Sequence, residues 1–480
     1  MKRKPPIDKD KKLIPAPTSI EPDFKTRRLT AGSMVKEVEL IRETREYELI
    51  TPLFGGGTET QKADPVSVIR VPSIRGQLRF WWRACRAAQF ASIAEMKKVE
   101  DLIWGSTENP SAVIIDLQID DRGSKETAYW MEWNKEKSKL EIKNSTMIAP
   151  YAAFPLQPDK DEQQESNWKS EAVVLNVYFK LSLRFPSKIL TSEKINGKEK
   201  LIEINHVENE VTSTLWAWQT FGGIGARTRR GFGALRLIKA NNKPAKDWPA
   251  DVTHLRTKLI AEITTHVLQG TRHPGVPQIS RDVSFAFTST KSLSGDFDTK
   301  KRTRVNAVAA WKSLIEQFQG FRQDRYGGKF GKSKWPEANE IRERAGLPLR
   351  IAEEAEDREL VHKFPRAVFG LPIVFHFPHD NGKPDFHLIG NRLIDEPSEK
   401  DVERLSSPLI LRPLACEGGK AVGLALILQT EKIPPGGLYL KGKARNEPQP
   451  DAKLQRSEAL LIDPLKGSTD VLQTFLEHLR

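Results

Sequence analysis

Apolar and charged residues alternate over residues 35–40 and 46–50 with the period of two expected of half-buried strands. Similar strand patterns recur at 66–71, 112–119, 129–133, 173–183 and 234–238, with a polar stretch at 157–170 that reads as an inserted loop. Two helices interrupt them. One covers 74–90, with Ser73 placed as its N-cap, and the other is an aromatic helix at 211–221. A break at Asn241-Asn242-Lys243-Pro244 and Trp248-Pro249 separates a second half. That half opens on an amphipathic helix capped by Asp251, with Leu255, Leu259, Ile263 and Val267 on one face. A further helix is expected at 305–318, burying Val308, Trp311, Ile315 and Phe318, and a terminal one at 470–479. Strands are expected at 283–287, 368–377, 409–411 and 421–428. Helices and strands alternate irregularly, which favours α+β over a doubly wound parallel sheet. The division expected is an extended N-terminal arm over 1–32, where Lys, Pro and Asp show no period, then units at 33–248 and 249–480.

Charge changes this picture. Lys and Arg number 76 against 63 Asp and Glu, a net +13, which points to a polyanionic partner. No apolar run is long enough to span a bilayer, so a membrane partner is not expected. The charged start, from Met1 through Lys12, lacks the apolar region of a signal peptide, so a cytoplasmic location is expected. With two cysteines, Cys85 and Cys416, a disulfide framework and a thiolate metal site are both excluded.

The strongest local signal is Phe221-Gly222-Gly223-Ile224-Gly225-Ala226-Arg227-Thr228-Arg229-Arg230-Gly231-Phe232-Gly233. Its glycines (Gly222, Gly223, Gly225, Gly231 and Gly233) allow a backbone that presents N–H groups to phosphate. Arg227, Arg229 and Arg230 supply forked donors suited to phosphate oxygens. Residues 211–246 hold seven basic side chains and no acid. The competing reading is a solvated basic hairpin. A P-loop is ruled out by the missing Gly-Lys-Ser/Thr, and a dinucleotide fold by the order helix, loop, strand. Arg230-Gly231-Phe232-Gly233 starts like an RNA-recognition motif, but Ala234 and Leu237 stand where later aromatics belong.

On the helix at 74–90, Leu78, Trp81, Trp82 and Cys85 make an apolar stripe beside Arg75, Arg79, Arg83 and Arg86. No acid occurs between Pro65 and Ala94. Either these arginines face RNA or they pair with acids from other elements. Lys300, Lys301, Arg302 and Arg304 form a third cluster, read as an RNA-contacting loop or a solvated turn ahead of a helix. Catalytic signals are thin: no HExxH occurs, no carboxylate cluster has two-metal spacing, and no cofactor is expected. His376, His379 and His387 read as structural strand histidines, and His206 is the nearest candidate for a base in metal-free RNA cleavage.

The pairing of Ile74-Arg75-Gly76-Gln77-Leu78-Arg79-Phe80-Trp81-Trp82-Arg83 with the glycine–arginine segment resembles the RAMP superfamily of CRISPR proteins, on the side of the Cmr (type III-B) effector complexes. Thr51-Pro52-Leu53-Phe54, Leu102-Ile103-Trp104-Gly105-Ser106, Val368-Phe369-Gly370-Leu371-Pro372 and Ser407-Pro408-Leu409 follow in the order the family shows. The resemblance implies two ferredoxin-like (RRM-like) domains with insertions, the glycine-rich loop of the first contacting RNA. It implies a non-catalytic subunit that holds the 3′ region of a guide RNA and helps capture single-stranded target RNA. Its partners would be the repeated backbone RAMP subunit and a neighbouring terminal one. On this reading the RNA-contacting residues are Arg75, Arg79, Arg83, Gly222, Gly223, Gly225, Arg227, Arg229, Arg230, Gly231, Phe232, Gly233, Lys301, Arg302 and Arg304. The alternative is a metal-independent RAMP endoribonuclease that processes guide precursors.

Overall fold

The computed structural model describes residues 25–31, 34–59, 61–195, 198–293, 299–328, 331–377, 385–391, 403–442 and 444–479. The two extended runs at the start are one long strand, β2 (Met34–Leu49), and it pairs with β1 (Thr26–Ala31), inside the stretch expected to be an arm. The rest of that arm, 1–24, lies outside the described residues. Next come α1 (Val71–Arg86), α2 (Ile93–Trp104), β3 (Ile114–Asp121), β4 (Tyr178–Pro186), α3 (Val207–Phe221), β5 (Leu235–Ala240) and β6 (Lys243–Pro244). They build a sheet in the order β6-β5-β2-β4-β3, with β1 on β2. Counting β2, β3, β4 and β5 as the strands of a βαββαβ unit gives the spatial order 4-1-3-2, antiparallel throughout. This is the ferredoxin-like arrangement.

The second half adds α4 (Val252–His266), β7 (Phe285–Phe287), α5 (Thr299–Arg322), α6 (Glu337–Arg344), β8 (Leu409–Cys416), β9 (Lys420–Ile427) and α7 (Val471–His478). Its main sheet runs β7-β9-β8, packed by α5, and α7 contacts both α5 and β7. This repeats the first unit's strand–helix–strand–strand–helix order up to its fourth strand. A smaller sheet takes two strands, 373–375 and 386–390, from between α5 and β8 and a third, 438–441, from after β9. The mixed α+β architecture expected from the sequence is the one observed.

Every residue of β8 is buried, because the strand is covered on both faces. Ile410, Leu414 and Cys416 join the cluster of Leu255, Leu259 and Ile263 from α4 with Trp82 and Trp218 of the first half. Leu409 and Leu411 face the opposite cluster, with Trp311, Phe318 and Phe475. Phe54 and Phe232 of the first half also belong to that second cluster. Each large core therefore draws on both halves. No described helix is long and apolar enough to cross a membrane.

Three local expectations are corrected. Residues 66–71 are a turn, with Val68 at φ 62°, because Pro72 starts a helix directly after it. The N-cap of α1 is therefore Arg70, and the Ser73 hydroxyl donates instead to the Gly56 carbonyl, at 3.2 Å. Residues 368–377 are not one strand: Pro365–Phe369 forms a 3-10 turn and only Ile373–Phe375 is extended.

Candidate nucleic-acid interface

The chain leaves α3 through Gly222 because nothing larger fits. A Cβ there would stand 2.4 Å from Trp81 Nε1 and 2.6 Å from the Trp218 carbonyl oxygen. At Gly231, with φ 85°, a Cβ would meet the Trp311 ring at 2.6 Å. These two close approaches seat the loop between α1 and α5. Much of its backbone is spoken for. Gly233 N–H donates to Pro52 O, Ala226 N–H to Phe54 O and Ile224 N–H to Gly233 O, at 2.8, 2.8 and 3.0 Å. Trp311 Nε1 donates to Arg230 O at 2.6 Å. The buried Arg412 of β8 donates to the carbonyls of Gln219, Gly222 and Leu235, each at 2.8 Å. Gly222, Gly223, Phe232 and Gly233 are buried, so the picture of a glycine loop offering its N–H groups along its length to phosphate is corrected. These residues pack and shape the turn.

What the loop does present is side chains. Arg227 is exposed, and Arg229 and Arg230 are half-buried. With Arg322, at the end of α5, they line a cavity of about 540 Å³ whose wall contains Tyr151, Phe154, Phe318, Phe369 and Ser407 and, among the described residues, no carboxylate. Arg229 Nη1 donates to Ser407 O at 2.5 Å, and Arg230 Nη1 to Leu409 O at 2.8 Å. Arg227 Nη1 donates to Ala152 O at 3.1 Å, and Arg322 Nη1 to Tyr151 Oη at 2.8 Å. Carbonyls and a phenol satisfy hydrogen bonds but do not cancel charge. Burial, together with the charges of Arg322 and Arg227, pushes the Arg230 guanidinium down to about 9. Arg322 Nε is buried with no hydrogen-bond partner, an open donor.

The arginines of α1 meet a different fate. Arg79 reaches Glu100 at 2.6 Å, Asp101 at 3.0 Å and the Gly105 carbonyl at 2.6 Å, and Arg83 reaches Glu100 at 2.5 Å. Arg86 binds Glu210 at 2.6 Å, and Trp82 Nε1 donates to the other oxygen of that carboxylate at 2.7 Å. For Arg79, Arg83 and Arg86 the pairing alternative is thus the one realised. Arg75 keeps a buried Nε without a partner. Phe80 links the helix to the loop, with the Arg229 guanidinium 5.2 Å above its ring.

Lys301, Arg302 and Arg304 lie in the first turns of α5, not in a loop ahead of it. The helix starts earlier than its apolar stripe. Arg304 Nη1 sits 3.3 Å from Tyr178 Oη. About 30 Å of helix separates this cluster from Arg322, so the two are separate basic features. His206 stands at the start of α3, whose 15 residues put it roughly 22 Å from the loop at the other end. It is therefore not the base that a cleavage reaction at this loop would need. Among the other histidines, His376 pairs with Asp385, His387 lies in the small sheet, and His379 is outside the described residues. Among the described residues Glu340, Glu343 and His362 cluster their ligand-type atoms, but Glu340 already binds Arg344 at 2.5 Å.

Sequence reasoning missed Arg322, Tyr151 and Phe154. Arg322 had a signal, since it follows Phe318 by four residues on the same helix face. Tyr151 and Phe154 had none, for they come from an irregular segment. The motif pieces carrying the family resemblance converge here. Pro52 and Phe54 back the loop, Phe80 covers it, and Gly370, Leu371, Pro372 and Ser407 wall the cavity.

Residues 46–236 match the RAMP superfamily. The chain is similar to the CRISPR system Cmr subunit Cmr1-2 of Pyrococcus furiosus, 25% identical over 194 residues, which span 40% of this chain and 92% of that one. It is also similar to Cmr1-1 of the same organism, 25% identical over 217 residues, 44% of this chain and about half (49%) of the relative. Among solved structures, the apo crystal structure of Cmr1 from Pyrococcus furiosus aligns at a TM-score of 0.40 and 15% identity, covering 88% of this chain and 96% of that one. A chain of the type III-B Cmr-beta complex bound to cognate target RNA, seen by cryo-electron microscopy, aligns at 0.43 and 13% identity, covering 92% and 100%. Residues 46–236 thus combine a match to the RAMP superfamily with a ferredoxin-like sheet, in a chain similar to Cmr1 subunits of CRISPR systems.

Proposed function

We propose that this protein is an RNA-binding subunit of a type III-B CRISPR (Cmr) ribonucleoprotein, and that it binds RNA without cutting it. One observation carries the reading: four guanidiniums, Arg227, Arg229, Arg230 and Arg322, converge on a cavity with no carboxylate among its described lining residues. Cations left uncompensated and partly desolvated are costly unless an anion completes them. RNA phosphate supplies that anion, and guanidinium forks suit its oxygens. The glycines shape the turn, and the arginines make the contact. The relatives' names supply the Cmr assembly; the resemblance read from the sequence adds guide RNA, held near its 3′ region, single-stranded target RNA, and neighbouring RAMP subunits as partners.

The test is filter binding of single-stranded RNA across a salt series. Replacing Arg227, Arg229 and Arg230 with alanine should flatten the slope of log affinity against log salt by up to about two units, three contacts at roughly 0.7 each. An unchanged slope would show that the loop is not the grip. Incubating the same RNA with the protein in EDTA, with no fragment released, checks the absence of cleavage.

A further inference from the structure

The site is a recess open to solvent and lined by aromatic rings as well as arginines. Its buried wall holds the rings of Phe318 and Phe369, 1% and 3% exposed. The Arg230 guanidinium lies 4.9 Å over Phe318. Its volume of about 540 Å³ falls in the range of small-ligand sites and exceeds what an inorganic anion fills. On its rim the Phe154 ring is 65% exposed. An aromatic ring in the open beside guanidiniums matches the elements that hold a single nucleotide, a stacking surface for the base and cations for the phosphate.

Charge sharpens the ligand further. A phosphodiester carries one negative charge. A phosphomonoester carries about 1.5 to 2 at neutral pH, with a second pKa near 6, and has three acceptor oxygens. Four cations with no carboxylate among the described lining residues are better matched by the second. Resting on the RNA-binding reading above, we infer that the cavity takes a nucleotide ending in a phosphomonoester, its phosphate on Arg227, Arg229 and Arg322 and its base against Phe154. Such a nucleotide is either the phosphorylated terminus of an RNA or a free mononucleotide. The groups facing it are Arg227, Arg229, Arg230, Arg322 and Tyr151. Behind them Arg366 is paired with Glu337 at 3.0 Å. Between pH 5 and 8 the arginines stay charged, so the pH dependence of binding follows the ligand's own second ionisation.

The experiment uses the full chain and one unstructured RNA sequence made with a hydroxyl or a phosphate at each end. Fluorescence anisotropy reads direct binding, and a nucleoside monophosphate and inorganic phosphate serve as competitors. A phosphate at one end should tighten binding about tenfold over the hydroxyl form, and the advantage should shrink as pH falls below about 6. The nucleoside monophosphate should compete better than inorganic phosphate. Phe154→Ala, at an exposed position, should keep the fold and lose that preference by about tenfold. Competition by the mononucleotide with no effect of RNA ends would assign the cavity to a free nucleotide. If phosphate and hydroxyl ends bind alike and the mononucleotide fails to compete, the inference falls. Should Arg227→Ala still weaken all RNAs in that case, the backbone reading stands; should it weaken none, both fall.

Discussion

The arginines of α1 and those of the glycine loop share a local sequence context, basic stretches with no nearby acid, and the fold treats them in opposite ways. On α1, Arg79 and Arg83 share Glu100, and Arg86 shares the buried Glu210 with Trp82. In the loop, Arg229 donates to the Ser407 carbonyl, Arg230 to those of Leu409, Phe369 and Arg229, and Arg227 to that of Ala152. A carbonyl satisfies a donor without neutralising it, so the second group keeps its charge available. The difference teaches that local charge counts cannot separate a structural arginine from a ligand-seeking one. What separates them is whether a carboxylate arrives from elsewhere in the fold.

The largest test of the contrast lies on the paired side. Glu210 is 7% exposed and closes the Arg86 guanidinium. Glu210→Ala should lower stability by about 3–5 kcal/mol, because it strands a buried cation, and urea unfolding would measure this. RNA affinity of the folded fraction should not change. A loss below about 1 kcal/mol would mean the two sides are not the opposites described. Next in size is anion stabilisation on the open side. Sulfate at matched ionic strength should raise the unfolding free energy over chloride by about 1–2 kcal/mol, through binding to the native state alone. Arg227→Ala, Arg322→Ala and their double variant should lose most of that gain, and equal stabilisation in the variants would place the anion elsewhere.

Much of the scaffold was legible because its signals are local. The Asp251 cap and the apolar face of α4 appear in the sequence, as does the stripe of Trp311, Ile315 and Phe318 on α5. The start of α5 was missed because Lys300, Lys301, Arg302 and Arg304 precede any apolar face. The run at 66–71 looked like a strand, but Val68 takes a left-handed conformation and Pro72 begins a helix. For the site, the loop was legible and its chemistry only half so. Glu100 and Glu210 reach α1 from outside the acid-free stretch, the latter from 124 residues away along the chain. Arg322, Tyr151 and Phe154 reach the cavity through tertiary packing. Nothing in a linear reading brings these groups together.

The smallest effect concerns the reach of the paired cations on the α1 side. His266, at the end of α4, stacks on Trp216 with ring centroids 4.7 Å apart, and its Nδ1 lies 3.2 Å from Ser213 Oγ. Burial, then the charges of Arg45 and Arg86, push its pKa down to about 4. The unfolded chain protonates this histidine near 6.5 and the folded one resists. Its contribution to stability is therefore complete above about pH 6.5 and is lost as pH falls from there toward 4. Partial exposure of the ring discounts the effect to about 1 kcal/mol. His266→Phe keeps a ring on Trp216 and removes the titration. The expected outcome is that unfolding midpoints at pH 7 and pH 4.5 converge by that amount in the variant relative to the parent. An unchanged difference would mean that neither burial nor the fields of Arg45 and Arg86, which Glu43 and Glu210 bind, disfavours the charged imidazole of His266 in the fold.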